Sequence, residues 1–155
     1  MGSGSNANRF DMLKTVQWSS RFSDEENQVI SSFLQVREHK KGEAVFLQGD
    51  PGDFMCFLVK GSVGIAKDIS DTRDTIVVTI HPGNHFGELS FADAEPRSAS
   101  AVANEDVVVL TLSISDFETL AKDNPELGMK ILKHMLQLVS KRLRMTTGKL
   151  VFTRT

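Results

Sequence analysis

Residues 40–65 read KKGEAVFLQGDPGDFMCFLVKGSVGI, and the punctuation of that run decides the fold. Short apolar segments (EAVFLQ, MCFLV, VGIAK) are cut by glycine-bearing turns, GDPGD and KGS. Such spacing belongs to strands joined by tight turns. The rhythm continues through TIVVTI, the turn HPGN, then SASAVA and DVVVLTL. Short strands at even intervals close into a jelly roll or small barrel. The predicted architecture is therefore mainly β with flanking helices, a β-roll over about residues 35–112.

Outside the roll the apolar period changes. Ser23 followed by Glu26 makes a capping box, and Val29, Ile30, Phe33 and Leu34 recur at helical spacing, which predicts an N-terminal helical segment. Beyond Leu112, Ser115 is the expected N-cap of a helix over DFETLAKD, and Asn124-Pro125 opens a long C-terminal helix expected to reach about Thr147. On that helix Leu127, Ile131, Leu132, Met135, Leu136, Leu138, Val139, Leu143 and Met145 span about half the circumference, wider than the ~100° stripe of a single contact. One apolar face is expected to meet the roll and another a partner. Arg142 projects from within the apolar half, either as an arginine that snorkels at an interface or as a contact to a ligand or partner subunit. The opening MGSGSNAN is polar and looks like an expression scar, so residues 1–8 are expected to be disordered and 9–155 to form a single domain.

Composition narrows the function. The 155 residues suit one domain, and 18 basic against 20 acidic residues give a formal net charge of -2, without the basic field that gathers nucleic acid. Cys56 is the only cysteine, which excludes an internal disulfide and any four-cysteine metal site; its neighbours Phe54, Met55, Phe57 and Leu58 mark it as a core residue. No apolar stretch approaches the ~18 residues of a membrane span and no signal segment opens the chain, so a cytoplasmic location is expected. No nucleophile–base pair is apparent, and His39 and His134 have no evident partner in sequence, so the chain reads as a non-enzyme.

The chemistry concentrates in residues 86–102, FGELSFADAEPRSASAV. Gly87 permits a positive φ or close backbone approach, and Glu88-Leu89-Ser90-Phe91-Ala92 suits a one-turn helix whose free N–H groups make an anion site. Arg97 adds a charge-assisted, bidentate-capable donor, worth roughly 1.5–3 kcal/mol when desolvated. A carboxylate beside a bound anion needs a donor of its own, and a ribose 2′-hydroxyl would supply one to Glu88. Pro96 stiffens the approach to Arg97, and Ser98-Ala99-Ser100-Ala101 keeps side chains small where a ligand would lie against a strand. These demands are those of a cyclic phosphate carrying a ribose.

The FGEL…PRSA segment resembles the phosphate-binding cassette of the cyclic nucleotide-binding domain family, and residues 40–65 resemble that family's glycine-punctuated front half. The resemblance covers roughly Phe22 to Thr147. It implies that Gly87, Leu89 and Ser90 offer backbone amides, Glu88 holds the 2′-hydroxyl, Arg97 holds the cyclic phosphate, and Ser98 and Ala99 line the phosphate and base. Ser98 is compatible with cAMP or cGMP, and RLRMTTGK resembles the catabolite-activator segment that meets adenine, which points to Thr146 and Thr147, with Arg142 and Arg144 as alternative base contacts. The expected ligand is cAMP, alternatively cGMP.

In the activator branch a DNA-reading domain follows the terminal helix, whereas this sequence stops at Thr155, so direct DNA binding is not expected of it. The expectation is a sensor that couples ligand capture to movement of the C-terminal helix, working as a homodimer or through a fused effector domain. Two alternatives differ in class. His81, His85 and Glu88 flank one turn and would suit a cupin-like metalloprotein, and the same fold could serve as a dimerising scaffold without ligand.

Overall fold

The computed structural model describes the backbone of residues 2–68 and 75–154, and side chains for residues 8–67, 77–89 and 93–145. Two compact units make up the chain, Met1–Phe117 and Glu118–Thr155.

The first unit is the β-roll with its N-terminal helices. Its strands are β1 (Gln35–His39), β2 (Ala44–Phe46), β3 (Phe54–Lys60), β4 (Val63–Asp68), β5 (Thr75–Ile80), β6 (His85–Phe86), β7 (Ser100–Ala103) and β8 (Val107–Ser113). They form two four-stranded sheets, ordered β1-β8-β3-β6 and β2-β7-β4-β5, and every pairing is antiparallel. Val45, Phe46, Val63, Ala101 and Ala103 from one sheet pack with Cys56, Leu58, Phe86, Val107 and Val109 from the other, which places the core between them.

β3 and β8 are buried over nearly their whole length rather than on alternate residues. Their outer face is covered too: α1 (Gly2–Lys14) lies against both strands, and Trp18, in a 3₁₀ turn over Gln17–Arg21, packs at a tilt with its ring 4.9 Å from Phe57 and 4.7 Å from Phe22. The capping box of α2 (Asp24–Ser32) is formed as expected, Ser23 Oγ accepting from Glu26 N–H and Glu26 accepting from Ser23 N–H. Buried Asn27 ties α2 to the 3₁₀ turn by donating to the carbonyls of Ser19 and Phe22.

Residues 2–8, expected to be disordered, are instead the first turns of α1. Once a turn anchored by fully buried Leu13 exists, each further residue gains a backbone hydrogen bond without a new nucleation cost. β1 likewise escaped the strand pattern, because four of its five residues are exposed and QVREH carries no apolar alternation. Its register against β8, from Gln35 opposite Thr111 to His39 opposite Val107, is set by its partner.

Downstream, α4 (Ile114–Asp123) starts earlier than predicted. Ser113, not Ser115, caps it, its Oγ accepting from Asp116 N–H at 3.0 Å, because only a residue three before the donor satisfies that geometry. α5 (Pro125–Arg154) opens as expected, with the Asn124 side chain accepting from Leu127 N–H at 3.2 Å, but it runs past Thr147 to Arg154. Thr146-Thr147-Gly148 is a weak helix former but holds no proline to break an established helix.

Within the second unit a Cβ on Gly128 would lie 2.6 Å from Ala121 Cβ, so this glycine permits the close approach of α4 and α5. Leu127, Ile131, His134 and Met135 are buried, whereas Met129, Leu132, Leu136 and Leu143 are exposed and Val139 is half-buried.

Candidate functional site

The segment from Phe86 to Ala99 folds as a short strand, a turn at Gly87, the helix α3 (Glu88–Asp93) and an irregular return to β7. Gly87 has φ +77°, and a Cβ there would sit 2.8 Å from Arg97 Nη1 and 3.4 Å from Phe46 Cε2. Conformation and space therefore both demand glycine. Ala94 at φ +56° is the one other sharp turn in the segment, leading out of α3.

Arg97 is only 3% exposed. Its Nη1 donates to the Gly87 carbonyl at 3.0 Å and its Nη2 to the Phe54 carbonyl. The guanidinium carbon lies 4.0 Å from the Phe46 ring centroid and 4.7 Å from that of Phe54. Arg97 Nε is buried without a hydrogen-bond partner among the described residues. Burial pushes the guanidinium below its ordinary pKa, while Cys56, Asp53 and Asp50 push the other way. A guanidinium carries five N–H donors. Among the described residues two carbonyls occupy two of them, and Nε is left without a partner.

The backbone of Arg97 is fixed by the GDPGD turn, which the sequence marks only as a connection between strands. Gly49 N–H donates to the Arg97 carbonyl and Arg97 N–H donates to the Asp50 carbonyl, each at 2.8 Å. Asp50 in turn accepts from Leu47 N–H, and Gln48 N–H donates to Ser100 Oγ. The GDPGD turn thus positions the arginine as well as joining strands. Its signal in the sequence was the pair of glycines, of which Gly49 has φ +91°.

Glu88 is also 3% exposed, with its carboxylate 3.8 Å from His85 Nε2. Leu89 and Ser98 are exposed, Ala99 is half-buried, and the Ser90 side chain lies outside the described residues. The structure thus brings Gly87 and Arg97 into direct contact, while the carboxylate of Glu88 lies beside His85. Arg142 and Arg144 are exposed on α5, and the side chains of Thr146 and Thr147 lie outside the described residues.

The metal-binding alternative does not assemble: no three His, Cys, Asp or Glu side chains are grouped to hold an ion among the described residues. The reason is the Pro82-Gly83 turn. Gly83 N–H donates to Leu58 and Gly83 accepts from Gln17, which fixes the turn with His81 exposed rather than beside His85 and Glu88. Cys56 is fully buried, and burial pushes its thiol up to about 12, against the weaker opposing pull of Arg97 and Arg37.

The family model described as cyclic nucleotide-binding domain matches residues 36–124, more than half of the chain. The chain belongs to that family. It is 30% identical over 117 residues to a CRP-like cAMP-activated global transcriptional regulator of Mycobacterium tuberculosis, covering 76% of this chain and 50% of that one. The chain thus spans about half the length of this relative. Among solved structures, a cyclic nucleotide-binding domain from Methylobacillus flagellatus superposes with a TM-score of 0.79 at 28% identity, over 96% of this chain and 83% of that one. The Thermus thermophilus catabolite activator protein gives a TM-score of 0.79 at 28% identity, over 88% and 62%. The β-roll with a C-terminal helix is the fold they share. The family match ends at Asn124, one residue before α5 begins.

Proposed function

We propose that the chain is a non-enzymatic sensor that binds a cyclic nucleotide, cAMP in preference to cGMP, through the segment from Gly87 to Ala99. The observation that carries this reading is Arg97: a desolvated cation held against the carbonyl of a positive-φ glycine, with its buried Nε unpartnered among the described residues. Unpaired buried charge is costly, so such a group suits a fixed anionic ligand. In this reading Arg97 takes the cyclic phosphate, Glu88 the ribose 2′-hydroxyl, and the backbone amides of Gly87, Leu89 and Ser90 share the negative charge. The name of the mycobacterial relative, a cAMP-activated regulator, supports cAMP. Arg142, Arg144, Thr146 and Thr147 are the candidates for base contact.

The second element of the proposal is transmission through α5 to a second copy of the chain. Met129, Leu132, Leu136, Val139 and Leu143 follow a 3-4-3-4 spacing, the a/d pattern of a two-helix seam, and all but half-buried Val139 are exposed. Nucleotide binding would act on this seam only through different affinity for two arrangements of the helix. No helix of the described residues is long and apolar enough to cross a membrane. The likeness to a transcriptional regulator supports a cytoplasmic location.

The test is displacement of a fluorescent cAMP analogue by cAMP, cGMP and 5′-AMP. The reading expects cAMP to compete best and 5′-AMP, with its extra charge and open phosphate, to compete poorly. Failure of every cyclic nucleotide to compete, with no analogue bound at micromolar protein, would favour a scaffold of the same fold.

A further inference from the structure

Phe46 and Phe54 are the side chains at this site that no reading of the ligand contacts requires. Phe46 ends β2 and Phe54 begins β3, so they come from different sheets, and they meet at the edge of the core cluster with centroids 6.2 Å apart and planes at 73°. The guanidinium of Arg97 contacts both rings, at 4.0 Å and 4.7 Å from their centroids. Phe54 carries a second cation as well, the guanidinium of Arg37 on β1, 4.8 Å from the same centroid. An aromatic face is electron-rich and attracts a cation, most strongly where water is excluded.

We propose that Phe46 and Phe54 are positioning residues that clamp Arg97 for anion binding. The clamp rests on the cyclic nucleotide reading given above and deepens it. The two rings, with planes at 73° to each other, flank the guanidinium on adjacent sides and attract it through their own electron-rich faces, which consumes no donor. Two carbonyls, of Gly87 and Phe54, fix its in-plane rotation. No described residue takes the Nε–H, and that is the donor the clamp would present to an anion's oxygen. The side-chain entropy of a long arginine is thereby lost on folding rather than on binding, which raises affinity without any ring touching the ligand. Lysine, with all its donors on one nitrogen, could not serve the two carbonyls and also keep a fork of donors for an anion.

The experiment replaces Phe54, and separately Phe46, with fluorinated phenylalanines of increasing fluorine content, which keep the ring but drain its negative face. Affinity for cAMP is measured by calorimetry, thermal unfolding is followed in parallel, and Arg97→Ala is the control. The clamp predicts a graded loss that reaches roughly threefold to thirtyfold at full fluorination, with the unfolding temperature little changed. It also predicts that the Arg97 Nε–Hε resonance, recorded without nucleotide, is displaced by ring current and moves back in Phe54→Leu. Equal affinity across the series in a protein that binds cAMP and loses it in Arg97→Ala would overturn the clamp and leave the sensor reading intact. A parent protein that binds no cyclic nucleotide would overturn the sensor reading and the clamp's role with it. Phe54→Leu, at a half-buried position, serves if Phe46 variants fail to fold.

Discussion

Arg97 Nη1 donates to the carbonyl of Gly87 across 3.0 Å, and a methyl group on Gly87 would stand 2.8 Å from that same nitrogen. The turn that opens the cassette and the cation that closes it are thus one unit of structure. Gly87→Ala should lose about 1–3 kcal/mol of stability, from the left-handed φ and from the displaced guanidinium, and should weaken nucleotide binding at least tenfold. Thermal denaturation and titration of the variant check both. Unchanged stability and affinity would show that the guanidinium is free to leave Gly87.

Glu88 is assigned to a ribose hydroxyl, so its effect should depend on that hydroxyl. The native protein is expected to bind cAMP about tenfold or more tightly than 2′-deoxy-cAMP, in keeping with roughly 1.5–3 kcal/mol for a hydrogen bond to a charged group. Glu88→Gln should bind the two within about threefold of each other. Discrimination that survives in the variant would assign the hydroxyl to another residue.

Cys56 gives a pH prediction. Its folded-state pKa is pushed up from 9.0 to about 12, so across that window the folded chain holds a proton that the unfolded chain releases. Stability from this group is complete below about pH 9 and is lost as pH rises toward 12, at up to ~1.4 kcal/mol per pH unit. Cys56→Ala should shift stability by a constant amount at neutral pH and lose this part of the alkaline slope, measured by urea unfolding from pH 8 upward. The native thiol should also resist thiol reagents until the protein unfolds.

Leu136 and Leu143 are 67% and 65% exposed on the α5 seam. Leu136→Glu should convert a dimer to a monomer at micromolar concentration in sedimentation velocity. Val77→Glu, at an equally exposed site on β5, should leave the oligomeric state unchanged. A monomeric native protein, or a dimer that tolerates Leu136→Glu, would direct the signal of α5 elsewhere.

Much of this was legible because it depends on local chemistry. Glycine turns mark the strands of the roll, Ser23 and Glu26 mark a helix start, and Gly87, Glu88 and Arg97 stand close enough in sequence to be read together. What was missed depends on partners distant in sequence. β1 is a strand because β8 pairs with it, not because QVREH alternates. Ser113 and Ser115 are equivalent as N-caps until the last strand residue is known, and Ser113 is both the end of β8 and the cap of α4. The hold of Asp50 and Gly49 on Arg97, and the two rings around its guanidinium, join segments more than forty residues apart. Gly128 is explained only by Ala121, which stands against it from α4.

The central claim is that a cyclic nucleotide binds at the cassette through Arg97. Calorimetric titration of the purified chain with cAMP and with cGMP, beside Arg97→Ala and after removal of any nucleotide retained from the host, tests it most directly. The account predicts saturable binding of one nucleotide per chain, tighter for cAMP, and loss of that binding in Arg97→Ala while the variant remains folded. Binding that persists undiminished in Arg97→Ala, or no heat with either nucleotide at several temperatures, would contradict it.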